Sequence, residues 1–192
     1  APNGAVIKPA AASSSLLKHS GPAVVFDSIE DFHSRIDSPE LDVTPDSVLV
    51  LRGCGPKGYP GMPEVANMKI PGKLISQGVK DMVRICDGRM SGTAYGTVIL
   101  HVSPESAANG PLSKVRTGDI IEIDVAQRTI NVKLSEIEFV SRPTSQLATE
   151  SYANPVRGWQ RLYIDHVNQA DKGADLDFLV GASGDEILRE SH

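Results

Sequence analysis

The sequence predicts a mixed α/β fold, a barrel-like or strongly curved sheet flanked by helices of moderate length. Three observations carry this. Short continuous apolar runs, AVVF at 23–26, SVLVL at 47–51 and TVILHV at 97–102, read as strands covered on both faces. The stretch GDIIEIDVAQRTINVKL at 118–134 alternates apolar and polar residues on either side of a polar turn near Gln127 and Arg128, the pattern of an antiparallel hairpin. That hairpin interrupts any regular alternation of strand and helix, which disfavours a fully doubly wound sheet.

Taken in order, residues 1–21 are rich in Ala, Ser, Pro and Gly and read as an arm or former interdomain linker, with residues 22–192 as the folded domain. After the first strand, DSIEDFHSRI predicts a helix. Asp27 with Glu30 resembles a capping box, and Ile29, Phe32, His33 and Ile36 share one face. A loop, SPELDVTPD, leads to SVLVL. KLISQ predicts a short helix stopped by Gly78, DMVRI a strand, and SPESAANG a short helix ending at Gly110. SEIEFVSRP predicts a helix opened by Ser135 and closed before Pro143. From Arg157 to Asp171, an apolar stripe of Trp159, Leu162, Tyr163, His166, Val167 and Ala170 predicts the longest helix, ended by Gly173. ADLDFLVG follows as an extended segment, and GDEILRESH is a polar tail.

Composition bounds the function. The 192 residues are 40% hydrophobic and 5% aromatic, so one domain with a mainly aliphatic core is expected. A net charge of −5 argues against a general nucleic-acid binder, which carries a basic patch. No apolar run approaches the ~20 residues of a membrane-spanning helix, and the N-terminus lacks signal-peptide features. Two cysteines, Cys54 and Cys86, set no disulfide framework and read as reduced thiols in a cytoplasmic compartment. The first residue is not Met, from which we expect a chain cut from something longer.

The chemistry concentrates in two glycine-rich loops, GPKGYPGMPE (55–64) and CDGRMSGTAYG (86–96), each following a predicted strand. Open sheets place ligands at such strand ends. The loops carry Lys57, Glu64, Asp87, Arg89, Ser91 and Thr93. Glu64 can offer oxygen to a hard cation, or equally serve as a cap or surface charge. Lys57 and Arg89 can meet a carboxylate or phosphate, although the pattern is not that of a phosphate-binding loop. Ser91 and Thr93 can act as nucleophile, proton carrier or ligand-binding hydroxyls, or simply as turn residues. GRMSG is not a nucleophile elbow, because Arg89 stands where that motif needs glycine. The residues alone point to an anionic-ligand or metal-assisted site with a Ser/Thr hydroxyl.

Together GPKGYPGMPE, DGRMSGTAYG, HVSPE and GPLSKVRTGDIIEID resemble the C-terminal domain of the dihydroxy-acid and phosphogluconate dehydratase family. The opening NGAVIKP, the stretch AVVFDSIEDF and the tail RLYIDHVNQADKGADLDFLVG…RESH extend the resemblance over nearly the whole chain, and the tail is most similar to sugar-acid (pentonate, such as arabinonate) dehydratases. The resemblance implies a β-barrel-like swivelling domain. It implies dehydration of a 2,3-dihydroxy acid to a 2-keto acid with Mg²⁺ and an iron–sulfur cluster, usually 2Fe–2S. By motif, Glu64 would be a Mg²⁺ ligand, Ser91 the base that takes the C2 proton, and Thr93 a neighbouring hydroxyl. His192 would be a candidate to approach a neighbour's active site in a homo-oligomer. The cluster ligands of the family lie in a larger N-terminal domain, and Cys54 and Cys86 do not correspond to them. The expectation is therefore a half-site. This chain alone would hold no cluster and show no turnover, and it would expose an apolar face toward the missing domain. The rival readings are branched-chain dihydroxy-acid dehydration and a non-catalytic, stand-alone binding module.

Overall fold

The computed structural model describes residues 1–64, 68–145 and 155–181. Among them seven strands form one mixed sheet: β1 (Val6–Ile7), β2 (Lys18–Phe26), β3 (Val48–Leu51), β4 (Arg84–Cys86), β5 (Val98–Leu100), β6 (Ile120–Asp124) and β7 (Thr129–Val132), in the order β1-β5-β4-β3-β2-β6-β7. The four α-helices are α1 (Ile29–Arg35), α2 (Gly72–Ser76), α3 (Glu136–Ser141) and α4 (Trp159–His166).

β2 joins the two halves of the sheet. Its first five residues pair antiparallel with β6, from Lys18↔Asp124 to Pro22↔Ile120. Its last four pair parallel with β3, from Ala23↔Val48 to Phe26↔Leu51. β3, β4 and β5 continue in parallel, and β1 closes that edge antiparallel to β5. At Gly21 the chain from the β3 approach passes so close that a Cβ would lie 1.8 Å from the Asp46 carbonyl oxygen, which leaves room only for glycine.

The parallel strands are apolar because both faces are covered, apart from Arg84 at the start of β4, which is buried against Asp81 and the Met68 carbonyl. Val24, Phe26, Leu49 and Leu51 pack with Ile29, Phe32 and Ile36 of the α1 region and with Leu74 of α2. Val25, Val48, Val50, Ile85 and Ile99 face the other way, against Leu112, Val115, Ile121 and Ile123. Ile7 of β1 and Ile130 and Val132 of β7 pack against this second core from opposite edges, and the Ala1 amino group donates to the Ile130 carbonyl at 3.3 Å. The sheet is thus curled into a half-barrel around an aliphatic interior, as the apolar runs and the hairpin predict.

Several local expectations shift. Residues 1–21, read as an arm, contribute β1 and the start of β2. Ser13 N donates to Asp81 Oδ2 and Gly96 N to the Ala11 carbonyl. The α1 cap is Ser28, whose hydroxyl accepts from Asp31 N at 3.1 Å, so the helix starts one residue later than an Asp27 cap would give. His33, placed by its spacing on the apolar face, is exposed, because the α1 stripe closes with Ile29, Phe32 and Ile36 alone. SPESAANG forms only a 3₁₀ turn, Ser106–Ala108. The helix expected over 157–171 stops at His166, followed by a 3₁₀ turn at Ala170–Lys172. Of its apolar stripe only Val167 is buried, while Trp159 is 83% exposed. ADLDFLVG bridges at Leu176 to Val167 and then turns as a 3₁₀ segment, Asp177–Leu179.

Candidate active site

Three loops leave the C-terminal ends of the parallel strands β3, β4 and β5, and two buried carboxylates bind them together. Asp87, at the exit of β4, is fully buried. Its Oδ1 accepts from Cys54 N at 2.8 Å, and its Oδ2 accepts from Gly53 N at 3.2 Å and Ser106 N at 2.9 Å. Glu105, in the loop after β5, accepts from Lys57 N on both oxygens (2.9 and 3.0 Å) and from Gly58 N at 2.9 Å. Gln169, beyond α4, donates to it at 2.7 Å and accepts from its backbone N–H. Gly55 lets the first loop wrap this carboxylate, since a Cβ there would lie 2.5 Å from Glu105 Oε2. Burial pushes the Glu105 carboxyl up. The N–H groups of Gly58 and Lys57 and the Gln169 amide pull it part of the way back, and the Asp87 charge adds to the rise. Among the described residues neither carboxylate makes an ion pair, so backbone amides compensate both charges.

The second loop is held differently. Met90 N donates to His101 Nε2 at 2.9 Å. A backbone N–H can only donate, so Nε2 carries a lone pair and the imidazole is the neutral Nδ1–H form. Burial, and then the Arg89 charge, lower the His101 pKa and keep it neutral. Lys8 Nζ donates to the carbonyls of Ser91 (3.3 Å) and Gly92 (2.9 Å). Ser91 is 8% exposed and its hydroxyl lies 3.1 Å from that of Thr93, which faces solvent. Arg89 crosses to the first loop. Its Nε donates to the Met62 carbonyl at 2.9 Å and its guanidinium lies 3.6 Å from Glu64 Oε2, both side chains being about 40% exposed.

The structure thus pairs Ser91 with Thr93 and Arg89 with Glu64. Asp87 is turned inward onto amides. The Lys57 amide serves Glu105, and the residue lines a separate cleft with Asp165, His166 and Asp171. His192 lies outside the described residues. Lys8, His101, Glu105 and Gln169 escaped the reading of the sequence as site residues. Lys8 and the His101–Glu105 pair stand inside the distinctive stretches NGAVIKP and HVSPE, and that was their one signal.

Two groups bear on metal binding. Cys54, Cys86 and Asp87 cluster with ligand atoms within 4.8 Å of one another, all buried. Burial, reinforced by Cys54, pushes the Cys86 thiol well up, and Asp87 already accepts three N–H groups. Two buried cysteines beside a carboxylate already committed to three N–H groups do not supply the four-ligand set an iron–sulfur cluster needs. Glu64 is different. It is an accessible carboxylate at a loop rim, an oxygen donor that suits Mg²⁺, although one carboxylate meets only part of an octahedral shell.

Loops on the C-terminal ends of parallel strands, with a hydroxyl pair and a carboxylate at their rim, define an α/β domain with a candidate ligand site at one end of its sheet. Residues 1–174 match the model of the dihydroxy-acid/6-phosphogluconate dehydratase C-terminal family, and the chain belongs to that family. An L-arabonate dehydratase of Azospirillum brasilense is 54% identical over all of this chain and 34% of its own length. An L-arabinonate dehydratase of Rhizobium leguminosarum bv. trifolii is 49% identical over all of the chain and 33% of its own length. A 6-deoxy-6-sulfo-D-gluconate dehydratase of Pseudomonas putida is 50% identical over 93% of the chain and 30% of its length. The chain spans about a third of the length of the curated relatives it matches.

Proposed function

We propose that this chain is the C-terminal domain of a hydro-lyase that converts a 2,3-dihydroxy sugar acid to a 2-keto-3-deoxy acid. The observation that carries this reading is the Ser91–Thr93 hydroxyl pair, 3.1 Å apart on the loop that also sends Arg89 to Glu64, in a chain about half identical to sugar-acid dehydratases. Ser91 Oγ, as the alkoxide, takes the proton from C2, the C2–H electron pair becomes the C2=C3 bond, and the C3 hydroxyl leaves with its bonding pair and takes up that proton from Ser91 to depart as water, which restores the alkoxide. The resulting enol takes up a proton at C3 to give the 2-keto acid. Thr93 orients Ser91 Oγ through its hydrogen bond. Arg89 holds the first loop through the Met62 carbonyl and sets the direction of Glu64. Glu64 is the residue of this chain that would ligate Mg²⁺. Mg²⁺ would supply the positive charge that makes a serine acidic enough to serve, and an iron–sulfur cluster would be the Lewis acid for the leaving hydroxyl.

The remaining ligands, the cluster cysteines and much of the substrate pocket would come from residues outside this chain. Exposed apolar side chains mark where such a part would pack. Tyr95, 75% exposed, lies four residues from Ser91, and Val156, Trp159, Phe178, Leu179 and Val180 are exposed around α4. No described helix is long and apolar enough to cross a membrane. A second substrate class, branched dihydroxy acids, has support from a dihydroxy-acid dehydratase of Methanobrevibacter smithii that is 41% identical over 92% of the chain.

The test measures 2-keto-acid formation from pentonates, hexonates and dihydroxyisovalerate. It uses this chain alone and the chain extended upstream, both reconstituted anaerobically with iron, sulfide and Mg²⁺. Turnover is expected only in the extended chain. There Ser91→Ala should remove at least about 10²-fold of the rate, with stability changed by less than about 1 kcal/mol. Near-normal turnover by Ser91→Ala would overturn the assignment of the base.

A further inference from the structure

We propose that Lys8 and His101 are positioning residues that hold the Ser91 hydroxyl in place by gripping the loop backbone on either side of it. The inference rests on the reading of Ser91 as the group that takes the substrate proton. On the N-terminal side, the Met90 N–H is bound to His101 Nε2 at 2.9 Å. On the C-terminal side, Lys8 Nζ binds the carbonyls of Ser91 and Gly92 at 3.3 and 2.9 Å. Met90 and Ala94 pack on the first core at the two ends of this stretch, and between them the loop has few contacts of its own. Gly92 has open space where a Cβ would be, and Thr93 faces solvent. Besides the Ser91–Thr93 hydroxyl pair at 3.1 Å, the backbone turn from Ala94 N to the Ser91 carbonyl is 3.3 Å long.

Both grips come from one paired edge of the sheet. Lys8 follows β1 and His101 follows β5, and these strands pair directly, Val6 with Leu100 and Ile7 with Ile99. The His101 backbone is itself tied to the base of the loop, its N–H donating to the Gly88 carbonyl at 2.9 Å. It has a positive φ of 54°, a conformation that histidine tolerates better than branched residues do. The β1–β5 edge therefore acts as a jig for the serine loop, and residues 1–21 are part of the site. A hydroxyl that must meet a C–H bond at close range is sensitive to such support, because a displacement of about 1 Å can cost about 10²-fold in rate.

The experiment uses the full-length protein with L-arabinonate as the probe substrate, and compares Lys8→Met with Lys8→Arg and His101→Asn with His101→Gln. Arg keeps a cation that can donate to two carbonyls, and Gln can place an acceptor where Nε2 stands. Asn tolerates the positive φ but is too short to reach Met90. For each variant kcat, KM and amide hydrogen exchange of the 87–96 segment are measured. Lys8→Met and His101→Asn should each lower kcat by about 10- to 100-fold with KM little changed. They should speed exchange in 87–96 but not in 53–58, and Lys8→Arg and His101→Gln should recover much of both. Wild-type kcat and exchange in Lys8→Met and His101→Asn would overturn the proposal, as would faster exchange spread over the whole domain with no rescue by the conservative variants. Full turnover by Ser91→Ala would instead overturn the serine reading alone. The exchange data would still show whether the two residues hold the loop, as they also would if L-arabinonate were not turned over.

Discussion

The two glycine loops look alike as sequence and are held in opposite ways. The first hangs by its amides from two buried carboxylates, Asp87 and Glu105, which it meets at Gly53, Cys54, Lys57 and Gly58. The second supplies Asp87 from its own root, and beyond that residue it is held from its rim by an ammonium, a neutral imidazole and the crossing Arg89. A buried carboxylate fed by several N–H groups fixes a loop, because each donor it loses is left without water. Half-exposed grips hold more weakly and leave room for adjustment. The loop with the candidate metal ligand is thus anchored at its root, and the loop with the hydroxyls is steadied at its tip.

Asp87→Ala should break this contrast most severely. It strands the N–H groups of Gly53, Cys54 and Ser106, and at about 1–3 kcal/mol for each orphaned donor the loss should reach about 3 kcal/mol or more in urea denaturation. A loss under about 1 kcal/mol would show that the carboxylate is not the anchor. Glu105→Gln should cost less, about 1–3 kcal/mol, because one acceptor oxygen survives while the new NH₂ opposes the Lys57 or Gly58 N–H. Its effect should also depend on pH. The Glu105 pKa is raised in the folded state, so its titration contributes stability that is complete below the ordinary value of 4.5 and is lost as pH rises through the folded value. The stability gap between wild type and Glu105→Gln should therefore narrow as pH rises across that window, and a gap that widens would contradict the burial argument. Arg89→Gln should have the smallest effect on folding, under about 1 kcal/mol, since its contacts to Met62 and Glu64 are half-exposed. A cost as large as that of Asp87→Ala would erase the difference between the loops.

Much of the fold is visible in short-range pattern. Val48–Leu51 reads as a strand buried on both sides because each of its four residues is apolar, and all four are fully buried. The hairpin reads from its alternation, and Ser135 and Gly78 mark helix ends where the structure has them. Segments whose partners are distant were harder to read. Lys18–Pro22 has no strand signature of its own and is extended because β6 pairs with it. The α4 stripe looks like a core face but stays mostly half-buried, with Trp159 exposed, for its period gives amphipathicity and not the neighbour that would cover it.

By itself the sequence determined which loops would lie together at one end of the sheet. Glycine density after apolar strands marks loops at one end of a parallel sheet, and their polar residues form a short list. The tertiary structure decided what each residue on that list touches. Asp87 and Glu64 are both loop carboxylates, yet one is closed in by backbone amides and the other stands at the rim. Lys8 reaches Gly92 across 84 positions and Glu105 reaches Lys57 across 48. A local pattern records a residue's own conformational preference, whereas the role of a charge depends on which donors the fold brings to it and how far from water it leaves them.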